Sequence, residues 1–294
     1  IAKLCARTLC SLSMFPNGES IMARDGAILA LVILLGLKGG RLLPIAAQSL
    51  YNLTCIQEHY KGVERTVKAF LSLPQSTHDT STWFMKALVN CCRFSWIRMR
   101  IIEDGALAGI QLVASSLSSK ENPYELVEHI STSVRLLSES IGCRIELLAK
   151  GALQILHMII PYSNDTSRVI MAKALHNITQ HPLSNHQFKV SCNIACEVAQ
   201  KSTDPIVMEY LSACFQLFAS EGVRDDMTLA NTIMDALPRC LSSSALPLTQ
   251  YYSVTTAGNL FFMKGTDHTK LETLIARVIS LGDTITDPEA MEAL

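Results

Sequence analysis

The sequence predicts an all-α protein built as an array of stacked helical repeats, and three observations carry that expectation. The chain is rich in helix-forming Leu, Ala and Met and is 49% hydrophobic, 17% charged and 6% aromatic over 294 residues, the profile of packed helices. One phrase recurs with a period near 40 residues. A second phrase, centred on glycine, precedes several copies of the first at a fixed distance. A period of that length is the signature of a solenoid, in which each unit buries its apolar face only against its neighbours.

The first phrase is a small residue, an apolar residue, one spacer, Asn, and an apolar residue closing a helix. It reads Ala47 to Thr54 around Asn52, Lys86-Ala87-Leu88-Val89-Asn90-Cys91, Lys173-Ala174-Leu175-His176-Asn177-Ile178, and more loosely Thr256-Ala257-Gly258-Asn259-Leu260. Asn52 and Asn90 are 38 residues apart, Asn90 and Asn177 are 87, and Asn177 and Asn259 are 82, each wider gap holding two units. The intervening members fall at Ser133 to Glu139 and Leu211 to Phe218, without the Asn, and an earlier copy sits at Ala6 to Leu12.

The second phrase is charged residue, Gly, then a small and apolar run: Arg24-Asp25-Gly26-Ala27-Ile28, Tyr60-Lys61-Gly62-Val63, Glu103-Asp104-Gly105-Ala106-Leu107 and Lys150-Gly151-Ala152-Leu153. Glycine closing one helix where φ must be positive, followed by a new amphipathic run, marks a helix-turn-helix junction. Each unit is therefore expected to hold a short first helix, a tight Gly turn, a long second helix, a polar loop and a third helix. The polar stretches Ser72 to Ser81, Ser115 to Tyr124 and Pro161 to Ser167 are placed in that loop, between second and third helices.

The two phrases together resemble the armadillo repeat, the family of β-catenin and importin-α. The resemblance implies a right-handed α-solenoid of about six complete armadillo-like repeats plus partial repeats at both ends. One array spans 1–294, with units 1–12 (partial), 17–54, 56–92, 97–140, 141–180, 182–220, 221–263 and 264–294 (partial). Gly26, Gly105 and Gly151 carry the likeness best. The units after Asn177 lack the Gly and equally suit HEAT-like helical pairs.

In armadillo proteins the third helices line a concave groove, where Asn hydrogen-bonds the backbone of an extended peptide. The resemblance assigns that role to Asn52, Asn90, Asn177 and Asn259; the residues alone equally allow each Asn to tie one repeat to the next. Four residues before the Asn position, importin-like arrays carry Trp, whereas this chain has Arg7, Gln48, Lys86, Val134, Lys173, Ser212 and Thr255. That disfavours recognition of a basic localisation signal. Arg7, Lys86 and Lys173, with Arg135 beside the fourth position, form a sparse positive line suited to an acidic or neutral segment. The cluster Trp83, Phe84, Phe94, Trp96, Ile97 and Met99 is read mostly as core, with a partner contact if Trp96 or Arg98 lies exposed.

A net charge of −1 gives no basic field for nucleic acid. The apolar run Gly26 to Leu37, twelve residues, is shorter than the roughly 20 a membrane span needs. The ten cysteines lie mostly inside apolar helical runs, as free buried thiols of a reducing compartment do. The sequons at Asn52, Asn164 and Asn177 are read as accidental. Nucleotide-binding, zinc-protease and Cys-x-x-Cys motifs are absent. Cys192 and Cys196, near His181 and His186, are read as core rather than as metal ligands, and His157 and His176 have no nucleophile beside them.

The expectation is a non-enzymatic scaffold or adaptor without cofactor or metal, holding a protein partner in the cytoplasm. The alternatives are a structural subunit of a cytoskeletal or ciliary assembly, using its convex face and loops, and a regulatory module for a catalytic domain beyond this fragment. The ends, in mid-pattern at Ile1-Ala2-Lys3 and Ala293-Leu294, are read as those of a piece of a longer protein.

Overall fold

The computed structural model describes residues 2–15, 18, 21–22, 26–36, 42–54, 78–117, 122–221, 226–241, 245–261 and 267–282, and no strand occurs among them. The glycine phrase at Tyr60-Lys61-Gly62-Val63, Cys55, and most of the expected terminal unit beyond 282 lie outside the described residues. Two compact units are present, Ile1–Ile155 and Leu156–Leu294.

In the first unit the helices are α1 (Ala2–Leu12), α2 (Ala27–Gly36), α3 (Leu43–Thr54), α4 (His78–Cys92), α5 (Arg98–Glu103), α6 (Ala106–Ser115), α7 (Tyr124–Ser138) and α8 (Ile141–Ala149). The boundary falls within α9 (Ala152–Ile159). The second unit continues with α10 (Asp165–Thr179), α11 (Asn185–Lys201), α12 (Pro205–Glu221), α13 (Met227–Cys240), α14 (Pro247–Phe261) and α15 (His268–Gly282).

Between Arg98 and Thr179 the helices follow along the chain as α5, α6, α7 and then α8, α9, α10. Gly105 (φ 95°) separates α5 from α6 and Gly151 (φ 88°) separates α8 from α9. Both sit in the left-handed region that side chains disfavour, so the chain reverses without a loop. Gly26 (φ 83°) opens α2 in the same way. One detail of the expected unit is corrected. The second helices are short, 10 residues in α6 and 8 in α9, while the third helices α7 and α10 have 15. The polar stretch assigned to Ser72 to Ser81 also ends earlier, because α4 begins at His78 with Asp79 in its first turn and buries Thr80 and Ser81.

From Asn185 onward the unit is a helical pair. The antiparallel pair α11 and α12, each of 17 residues, is followed by α13 and α14. Strong caps replace the glycine turns. Ser184 and Gln187 form a capping box at α11, Asp204 accepts from Ile206 N at α12, and Asp226 accepts from Leu229 N at α13.

Each unit buries apolar side chains between its own consecutive helices. In the first unit Leu50, Met85, Leu88, Ile101, Ile102, Ile110, Leu126 and Ile130 are fully buried, and in the second Phe215 and Phe218. Helices one repeat apart also stack: α1 on α3, α3 on α4 and α4 on α7, then α10 on α12 and α12 on α14, with α5 on α8, α11 on α13 and α13 on α15 along the other layer. Cations stitch that second layer. Lys150 Nζ donates to Ile102 O at 3.0 Å, Arg239 Nη1 to Ala199 O at 3.4 Å and Arg277 Nη1 to Pro238 O at 2.8 Å. Each cation thus reaches a carbonyl in the last turn of the preceding helix of that layer, where the helix dipole favours positive charge.

The Gly151→Ala variant should lose about 1–2 kcal/mol of unfolding free energy in a urea titration. The added methyl meets only Gln154 Oε1 at 3.4 Å, so backbone strain alone sets the loss.

Candidate functional site

The helices of this layer, α3, α4 and α7 in the first unit and α10, α12 and α14 in the second, called third helices below after the expected three-helix unit, each leave one stripe half-exposed. The candidate residues fall on these stripes because they recur at helical spacing from the Asn position.

In the first unit the stripe carries Gln48, Tyr51 and Asn52 on α3, Trp83 and Lys86 on α4, and Glu125, His129 and Arg135 on α7, with Arg7 exposed on α1. The Tyr51 and Trp83 rings are 5.3 Å apart. Lys86 Nζ stands 4.8 Å from the centre of the Trp83 ring and 2.6 Å from Glu125 Oε1. The hydrogen bond from Lys86 holds the Glu125 carboxyl below its ordinary range. His129 Nε2 lies 3.7 Å from Glu125 Oε1, yet burial wins over that attraction and lowers the imidazole from its ordinary value of 6.5. Arg135 pairs with Glu139, which also receives Arg98 Nη2 at 3.0 Å.

The expected positive line is therefore uneven. Lys86 and Arg135 each face a carboxylate of the chain itself. Lys173, in the second unit, makes no ion pair among the described residues and stands over the Tyr210 ring at 5.4 Å, with His176 5.6 Å from the same ring. Asn177 on α10 and Asn259 on α14 are half-buried on their stripes.

The geometry explains the Asn phrase in the first unit. Asn52 Nδ2 donates to Ser13 Oγ at 2.9 Å, and Ser13 Oγ donates onward to Cys10 O at 2.7 Å. One repeat later Asn90 Nδ2 donates to Thr54 Oγ1 at 3.3 Å, and Thr54 Oγ1 donates to Tyr51 O at 2.6 Å. Each hydroxyl lies two residues beyond the Asn position of its own helix. It caps that helix and accepts the amide of the next. Asn52 and Asn90 thus bind one repeat to the preceding one. In the second unit Thr179 Oγ1 keeps the donation to His176 O at 3.0 Å and contacts Cys214 Sγ at 3.7 Å.

Tyr51, Trp83, Glu125, His129 and Tyr210 were missed as site residues. Their signal was available: Trp83 stands one turn before Lys86 on the same face, and Tyr51 adjoins Asn52. The aromatic cluster divides. Phe84 and Ile97 are buried, while Trp96 is 54% exposed. Arg98 is buried, with Nε donating to Cys92 O at 2.7 Å and Nη1 to Ser140 Oγ at 3.1 Å.

Among the described residues no group of His, Cys, Asp and Glu could hold a metal ion. Cys192 and Cys196 are buried in α11, and the hydrogen bond with Cys196, together with burial, pushes the Cys192 thiol up. Desolvation raises Cys92, Cys214 and Cys240 to about 12, so these thiols stay protonated and unreactive. No described helix is long and apolar enough to cross a membrane.

No protein-family model matches the chain, and no curated protein matches it in sequence. Solved structures do resemble it. The crystal structure of one engineered protein has a TM-score of 0.65 at 18% identity, covering 99% of this chain and 72% of its own. A second engineered protein has a TM-score of 0.55 at 18% identity, covering 80% of this chain and 96% of its own. At that identity the likeness shows the all-helical fold alone.

Replacing Thr54 with Val keeps the shape and removes the acceptor of the Asn90 amide. Stability should fall by about 1–2 kcal/mol in chemical denaturation, while a Gln48→Ala change on the same helix should cost under about 0.5 kcal/mol.

A second expectation concerns pH. The His129 imidazole faces Lys86, Glu125 and Glu128, and its lowered value means the unfolded chain takes the proton more readily. Stability should therefore decline as pH falls below about 6.5. The Glu125 contribution has the opposite origin, a depressed carboxyl, and is lost only at lower pH. Unfolding free energies between about pH 7 and 5 should show a slope in the wild type that His129→Gln flattens.

Proposed function

We propose that the chain is a non-enzymatic scaffold that holds a protein partner, laying an extended acidic or neutral segment of it on the third-helix faces. The observation that carries this reading is the half-exposed stripe of rings and cations at Tyr51, Trp83 and Lys86 and again at Lys173, His176 and Tyr210. Rings supply contact area at low entropic cost, and amides and cations read a backbone and its carboxylates. Lys173, which has no carboxylate partner among the described residues, is the strongest point for an acidic residue. Asn177 and Asn259 serve as backbone readers in this proposal.

The repeat identity belongs to the same proposal: a right-handed arrangement of about six armadillo-like repeats, grading into HEAT-like pairs after Asn177. Two glycine turns at φ 95° and 88° and the recurrent stacking of third helices support it. The free cysteines among the described residues suit a reducing cytoplasmic setting.

A second reading, a structural subunit of a cytoskeletal or ciliary assembly, is favoured by apolar side chains on the first-helix layer. Ile141 is 73% and Ile145 56% exposed on α8, in addition to Trp96.

Affinity capture from cytosolic extract separates the two. The chain is immobilised beside Lys86→Glu with Lys173→Glu and, separately, Ile141→Glu with Ile145→Glu, and retained proteins are identified by mass spectrometry. The scaffold reading expects partners lost from the lysine variant alone. Loss from the isoleucine variant alone would replace it with the structural-subunit reading.

A further inference from the structure

In the first unit Lys86 and His129 face one and the same oxygen atom. Lys86 Nζ lies 2.6 Å from Glu125 Oε1, and His129 Nε2 lies 3.7 Å from it, beyond hydrogen-bond distance. Nε2 is buried and has no hydrogen-bond partner among the described residues. The imidazolium carries a proton on both ring nitrogens, so protonation makes Nε2 a charged donor beside that oxygen. The two cations then differ in what they lose by standing alone. The Lys86 side chain is long, flexible and 24% exposed, and its ammonium turns readily to water. Nε2 has no water to turn to, and a buried charge without a partner is strongly disfavoured. Once His129 is charged, Glu125 therefore serves the imidazolium and Lys86 is the partner that leaves. The same movement takes Nζ away from the Trp83 ring, 4.8 Å distant, and uncovers that ring beside Tyr51.

The charged groups that face the imidazole are Lys86 from α4 and Glu125 and Glu128 from its own helix. Two further helices of this unit pack on α7. Of these, α6 has no titratable side chain. On α8, Arg144 is held at Ser138 O, Glu146 lies near Lys150, and Cys143 lies with Arg98 and Ser140. Glu125 stays ionised while His129 titrates, because Lys86 holds its carboxyl below the ordinary 4.5, whereas burial puts the imidazole transition below 6.5. We propose that protonation of His129 is a switch on the third-helix face, drawing Glu125 from Lys86 to the imidazolium and freeing Lys86, with the Trp83 ring, for a carboxylate of the partner segment. The use of the switch rests on the third-helix reading; the exchange of partners at Glu125 belongs to the chain alone.

The exchange is tested on the whole chain without a partner. Trp96→Phe leaves Trp83 as the single tryptophan of the two. Its emission and indole N–H resonance are followed from about pH 7.5 to about pH 5, with circular dichroism confirming the fold at each point. The expected result is one reversible step with its midpoint below 6.5, absent in His129→Gln. Glu125→Gln removes the shared oxygen, so Lys86 is released at every pH and the acid-form signal should be present already at about pH 7.5, with no step. No step in the parent chain, a step that survives in His129→Gln, or a step of full size in Glu125→Gln, where the imidazolium would act on Trp83 directly, overturns the switch. A second arm reads its use. A capped peptide of alternating glycine and aspartate, whose carboxylates stay ionised in this range, is titrated calorimetrically into the wild-type chain and into His129→Gln. Affinity should rise about three- to tenfold from about pH 7.5 to about pH 5.5 in the wild type, and by less than about twofold in the variant. A Trp83 step with no peptide binding at either pH upholds the exchange and overturns the third-helix reading for acidic segments. Binding with the same pH dependence in both chains upholds that reading and overturns the regulation by His129.

Discussion

Each repeat can bury its apolar face only against the next, and the stack depends on polar bonds at helix ends that hold one repeat in register with its neighbour. Aliphatic packing gives the attraction but tolerates sliding, since a Leu-rich surface fits many offsets. Directional bonds do not slide. In the third-helix layer the amides of Asn52 and Asn90 seek out hydroxyls two residues past the equivalent position one repeat earlier. In the other layer Lys150, Arg239 and Arg277 reach the last carbonyls of the preceding first helix. Both devices use groups that a helix terminus leaves unsatisfied, so register and capping are achieved by the same atoms.

That economy bears on function. An Asn committed to a neighbouring repeat has one amide hydrogen already spoken for, and the surface beside it becomes a fixed platform. The rings and charges that decorate the platform are then held by helices whose positions cannot drift, which is the condition for recognition at low entropic cost. The charges are mutually compensated in the first unit, through Lys86 with Glu125 and Arg135 with Glu139. Lys173 in the second unit lacks such compensation among the described residues.

The two units reach a similar layered packing by different turn chemistry. Left-handed glycines fold α5 onto α6 and α8 onto α9, where short helices leave little length for a loop. In the second unit the helices grow to 17 residues and side-chain caps at Ser184, Asp204 and Asp226 start them instead. Loss of the glycine phrase after Asn177 thus marks a change of turn, while the cation-to-carbonyl stitch persists, with Arg239 and Arg277 38 residues apart.

Much was determined by the sequence itself: an all-helical fold, the left-handed glycines at Gly26, Gly105 and Gly151, and the burial of the described cysteines other than the exposed Cys5. These follow from local rules, namely helical periodicity and the need for positive φ at a tight turn, which a linear string displays. Tertiary structure decided what those residues touch. Only the packing of α3 on α1 and α4 on α3 brings Asn52 to Ser13 and Asn90 to Thr54, and only the α4–α7 contact sets Glu125 against Lys86. The same holds for Trp96, which hydropathy assigns to the core and packing leaves outside, and for Arg98, whose charge suggests the surface and whose bonds to Cys92, Glu139 and Ser140 bury it. Partners some 40 residues away in the chain are chosen by helix register, and register is a property of the assembled stack.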